Sequence, residues 1–134
     1  MNAGARYVGA IDERDLNAIY NMCDVFLMPT RTDEMFGMAA AEAQACGKPL
    51  VCSSQGGLQE AASERSAVFV PPGDSHALAR AVIDLLRDDH RRRELGECAR
   101  EHVRQFSWPV VTDAYRAVYD AVLAPASEAE AIPK

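Results

Sequence analysis

Short apolar runs alternate with helical patterns through the first half of the chain, and this alternation limits the fold more than any other feature of the sequence. "RYVGAI" (residues 6–11) reads as a strand, and Asp12 is placed to cap a helix carrying Leu16, Ile19, Tyr20 and Cys23 on one face. "DVFLMP" (24–29) is an unbroken apolar run stopped by Pro29, as expected of a strand buried on both faces. An alanine-rich helix starts near Phe36 and is closed by Gly47, with Pro49 beyond it. "PLVCS" (49–53) is a third strand, "GGLQEAA" a tight turn into a short helix, and "AVFVPP" (67–72) a fourth strand. This order predicts an α/β fold: a parallel sheet with helices on both faces.

After Gly73 the pattern changes to three C-terminal helices. Their stripes are Leu78, Val82, Leu85 and Leu86; Leu95, Ala99, Val103 and Phe106; and Val111, Tyr115, Val118 and Val122. Ser107 is placed to cap the last of them, with Pro109 in its first turn. The tail "PASEAEAIPK" (125–134) has little to bury and is expected to be flexible. The 134 residues supply one lobe, not two with a cleft between them, so residues 1–124 are expected to form a single domain.

A net charge of −6 argues against nucleic acid as a partner, because phosphate backbones are held by clustered Lys and Arg. The one basic cluster, Arg91–Arg93, lies between Asp88, Asp89 and Glu94 and reads as a solvated helix face. Cys23, Cys46, Cys52 and Cys98 form no Cys-x-x-Cys pair and have no histidine at zinc-ligand spacing, so no metal is expected, and the thiols point to a reducing, cytoplasmic setting. His76, His90 and His102 sit in polar or amphipathic helical context, without a catalytic pattern. No apolar run reaches the roughly 20 residues of a transmembrane helix.

Chemistry concentrates in "TDEMFGMAAAEAQACG" (32–47). Glutamate is rarely buried without a partner, yet Glu42 sits inside a helix otherwise made of small apolar residues. Glu34 lies in the loop ahead of it, and the two carboxylates are expected on the order of 10 Å apart, with the helix N-terminus between them. That N-terminus offers free N–H groups and a positive dipole end to an anion. Carboxylates accept paired hydroxyl hydrogen bonds, which suits the vicinal diols of a sugar or a ribose. An acid, an anion site and a second acid match a nucleotide diphosphate sugar. The same residues also read as exposed acids on a helix whose back is core, because Glu near a helix N-terminus is stabilising in itself.

The stretch "EMFGMAAAEAQACGKPLVCSSQGGLQE" resembles the signature of the family-4 glycosyltransferases, retaining two-lobed GT-B enzymes that use nucleotide-sugar donors. "YVGAID", "DLNAIYNMCDVFLMPT", "VFVPPGDSHALARAVIDLL", "RRRELGECAR" and "FSWPVV" extend the likeness in order along the chain. The resemblance implies a Rossmann-like C-terminal, donor-binding lobe. It implies that Glu34 faces the transferred sugar as the catalytic acid of the motif. Phe36, Gly37 and Met38 would meet sugar and diphosphate through their backbone, and Glu42 would bind the ribose hydroxyls. Ala10 and Ile11 match a turn whose backbone touches the base. Gly56 and Gly57 match a tight turn near the site that is structural as readily as functional, and Trp108 matches a bend where packing is the expected role. No cofactor is implied beyond the donor substrate.

Two features of the family have no counterpart here. Its C-terminal lobe begins with two further strand and helix units, the first carrying an Arg and a Lys that neutralise the diphosphate, and an N-terminal lobe precedes both. The chain is therefore expected to be a partial GT-B lobe, inactive in transfer by itself, needing the missing lobe or a second chain. An unpaired sheet edge would also permit self-association. A non-catalytic module that binds a nucleotide sugar or a protein is the alternative. In the full-length enzyme a peripheral membrane position is compatible with the cytoplasmic setting. Base, sugar and acceptor are not identified by these residues.

Overall fold

The computed structural model describes residues 4–124; the tail at 125–134 lies outside them. Helix α1 (Glu13–Met22) leads to β1 (Phe26–Met28), α2 (Met38–Ala45), β2 (Leu50–Ser53), α3 (Leu58–Ala61), β3 (Ala67–Val70), α4 (Ser75–Arg87) and α5 (Asp89–His102). A 3-10 turn (Val103–Phe106) and α6 (Trp108–Leu123) follow. The three strands form a parallel sheet in the order β1-β2-β3, with Phe26 opposite Leu50 and Leu50 opposite Ala67.

The central strand explains its own composition. All four residues of β2 are buried, because neighbours pair on both edges and helices cover both faces. Leu50 and Cys52 pack with Ala40 of α2, Leu58 of α3 and Ala62 on one face; Val51 packs with Val70, Leu85 of α4 and Leu95 of α5 on the other. Leu50, Leu58 and Leu95 are fully buried, each contributing about 1.5–3 kcal/mol of apolar transfer.

Capping follows local chemistry. The Asp12 carboxylate accepts from the Arg14 N–H at the start of α1, and Asp74 accepts from His76 and Ala77 at the start of α4. Ser107 heads α6 as expected, but without a side-chain cap bond. α2 ends in a Schellman closure: the Gly47 N–H bonds Gln44 O at 2.8 Å and the Lys48 N–H bonds Ala43 O at 3.1 Å, with Gly47 at φ +70. Of the basic cluster, Arg91 pairs with Glu94, while Arg92 pairs with Asp89 and also donates to the last carbonyls of α4 at Leu85 and Leu86.

Four expectations are corrected. "RYVGAI" forms no strand: it is an extended segment with Tyr7 93% exposed, since no ladder reaches it. β1 is only half-buried, with Leu27 exposed, because no strand among the described residues pairs on its outer edge. Among the described residues the stripe on α6 has no buried member: Val111 is half-buried at the groove, and Tyr115, Val118 and Val122 are exposed. Trp108 is not packed into the core of the described residues; it is 83% exposed, at the rim of a groove.

Candidate functional site

The loop from β1 to α2 leaves the carboxyl end of the sheet, where ligands of parallel α/β folds bind. Helix α2 begins at Met38, two residues later than its sequence suggests. Gly37 is the N-cap, in the left-handed region at φ 89, and no side chain caps the turn. A Cβ on Gly37 would lie 2.5 Å from Leu58 Cδ2, so the close approach of α3 also leaves little room for a side chain here. The small residue lets the helix end sit low on the core with its first N–H groups uncapped.

Glu34 is half-buried in this loop and Glu42 is exposed about one turn into the helix. Phe36, Met38 and Glu42 line one open groove of about 750 Å³, together with Arg100, Arg104 and Trp108 among others. Glu34 does not line that groove. It lies beside Gly37, its Cγ 3.6 Å from where a Gly37 Cβ would stand, and its carbonyl accepts from the Gly57 N–H at 2.7 Å. The Gly56–Gly57 turn is thus seated directly on the loop: a Cβ on Gly56 would be 2.6 Å from Glu34 O, and one on Gly57 would overlap the Met35 carbonyl. Ala10 and Ile11 lie in the segment entering α1, and no described hydrogen bond joins them to residues 34–42.

Glu42 has a protein partner that sequence reasoning did not identify. The Tyr20 hydroxyl donates to Glu42 Oε2 at 2.7 Å. A signal was available, since a tyrosine on a buried helix face must find an acceptor for its hydroxyl. Arg100 was missed as well. It donates to Cys46 O at 3.2 Å and lies over Gly47, placing a cation at the C-terminal end of α2. Arg31 lines a separate cavity of about 210 Å³ with Ser53, Asp74 and Ser75.

Burial, then the bond to Glu42, pushes the Tyr20 phenol from its ordinary 10.0 up to about 12, and burial alone pushes the Cys52 thiol from 9.0 to about 12. Both folded pKa values lie above the unfolded ones. The associated stability is fully present below pH 9 and is lost as pH rises through 9–12. The thermal midpoint is expected to fall across that window, and less steeply in a Tyr20→Phe, Cys52→Ala double variant. An unchanged slope in that variant would assign the alkaline loss to other groups.

A family model described as Glycosyl transferases group 1 matches residues 1–102. A D-inositol 3-phosphate glycosyltransferase from Corynebacterium glutamicum is 36% identical over 120 residues, covering 89% of this chain and 28% of that protein. Sucrose-phosphate synthase from Thermosynechococcus elongatus superposes with a TM-score of 0.76 at 37% identity, over 87% of this chain and 30% of that one. The Anabaena protein HepE, solved with UDP-glucose, gives 0.70 at 23% identity, over 82% of this chain and 30% of that one, a likeness of fold. The chain thus spans about a third or less of the lengths of these relatives.

Proposed function

Since this chain belongs to the group 1 glycosyl transferases, we propose that it is the donor-binding part of a retaining glycosyltransferase that uses a nucleotide diphosphate sugar. The observation that carries this reading is the uncapped start of α2, with Glu34 in the loop before it and Glu42 on the groove beyond. In this reading the diphosphate rests on the first-turn N–H groups from Gly37 onward, where the dipole favours negative charge. Glu42 takes the ribose hydroxyls and Glu34 the transferred sugar; Ala10 and Ile11 approach the base. Retention at the anomeric carbon is inferred from the likeness of the acid pair to that of retaining family-4 enzymes. No cofactor is required besides the donor.

Transfer is expected of the complete protein, not of these residues alone. The outer edge of β1 is unpaired among the described residues, and the two further strand units implied by the resemblance would join the sheet there. The first of those units would also bring the Arg and Lys that the resemblance sets on the leaving diphosphate, where its developing charge needs stabilisation. The four cysteines are free, in keeping with a cytoplasmic setting. No described helix is long and apolar enough to cross a membrane.

Glu42→Ala tests the reading. In the complete protein it is expected to weaken nucleoside diphosphate binding about tenfold, the scale of losing hydrogen bonds to a charged acceptor. Unchanged affinity by titration calorimetry would remove Glu42 from the site.

A further inference from the structure

Among the described residues, the Tyr20–Glu42 bond holds a side chain that lines the groove. Tyr20 is 9% exposed, and its ring meets Phe26 edge-on with centroids 5.5 Å apart, so the hydroxyl has little freedom to leave Glu42. α1 is also tied to the end of α2 and the residues after it. Cys46 Sγ donates to Asn17 Oδ1 at 3.3 Å, and Lys48 Nζ donates to Asn21 O at 2.9 Å. Among the described residues no donor bonds Glu42 Oε1, and the side chain lines the groove.

We infer that Tyr20 is a positioning residue: its hydroxyl holds the Glu42 carboxylate with one oxygen presented to the groove, and thereby sets the preference for a ribose diol over a sugar lacking those hydroxyls. This rests on the assignment of Glu42 made above. A glutamate on an exposed helix face samples many rotamers, and ordering it costs free energy at the moment of binding. With Tyr20 donating to Oε2, the carboxylate plane is set beforehand, and of its roughly four acceptor sites the remainder stay open for two neighbouring hydroxyls. Burial and the bond to Glu42 push the phenol pKa up to about 12, so near neutral pH it is protonated and able to donate.

The test uses the complete protein, titrated with UDP, GDP and ADP and with the 2′,3′-dideoxy form of each that binds. The wild type is expected to bind the dideoxy form more weakly. Tyr20→Phe keeps the ring contact with Phe26 and removes only the donor. It is expected to weaken binding of the ribonucleotide about five- to tenfold while barely changing that of the dideoxy form, so that the ratio of the two collapses. In a Glu42→Ala background Tyr20→Phe is expected to leave the ratio where it is, the non-additivity expected of two residues acting as one unit. A ratio unchanged by Tyr20→Phe in the wild-type background overturns the inference and leaves Glu42 in its role. A wild type that binds none of the three, or that treats ribo and dideoxy forms alike, overturns the ribose reading of Glu42 and this inference with it.

Discussion

Gly57→Ala is expected to destabilise the protein by about 2–3 kcal/mol, against the usual sign for such a change. Gly57 has φ −64 and ψ −7, ordinary helical values that any residue adopts. At a compatible backbone position, glycine to alanine normally stabilises by about 0.4–1 kcal/mol through the unfolded state. Here the obstacle is space. The added methyl would overlap the Met35 carbonyl and lie 2.7 Å from Phe36 Cα, and all of its close contacts are backbone, which cannot rotate away. Relief requires the 34–36 loop to lift, breaking the 2.7 Å bond from the Gly57 N–H to Glu34 O. Stability by urea unfolding and donor affinity in the complete protein should therefore fall together. A midpoint that stays or rises would mean that the loop yields freely, and that the turn has no part in placing Glu34.

That close approach also shows where sequence reading stops. The alanine-rich helix, its closure at Gly47 and the cap at Asp12 were legible because each is decided within a few residues by chain geometry and side-chain reach. β2 was legible as a strand from its short apolar run after Pro49, whereas its central, fully buried position emerged only in the structure. "RYVGAI" carries the same local pattern and still forms no strand, because pairing depends on a distant neighbour. The same holds for β1, whose composition suits two covered faces and two paired edges, and for α6, whose stripe of Tyr115, Val118 and Val122 faces no described element. At the site, the acid pair and the glycine at the bend stood out in one continuous stretch. The Tyr20 hydroxyl and the Gly57 contact did not, since each joins segments about twenty residues apart through the packing of separate elements.

Glu34→Ala is expected to lower turnover of the complete protein about a hundredfold while changing affinity for the nucleoside diphosphate less than threefold. The split follows from how the loop is held. Glu34 anchors its own backbone, not through its carboxylate, by accepting from the Gly57 N–H, and Gln55 Nε2 donates to Asp33 Oδ1 at 2.9 Å beside it. Truncating the side chain therefore leaves the start of α2 in place, with Gly37 still at the N-cap. In the proposed reading the diphosphate contacts assigned to that helix end survive, and what is lost is the acid assigned to the transferred sugar. An interaction realised mainly in the transition state shows as a fall in kcat, whereas one shared equally with the ground state shows in KM. Glu42→Ala should display the opposite profile, because in the same reading Glu42 holds the ribose alike before and during reaction. Steady-state kinetics and calorimetry on the two variants side by side separate these roles, and equal losses of turnover and affinity at Glu34 would return it to a simple binding or structural part.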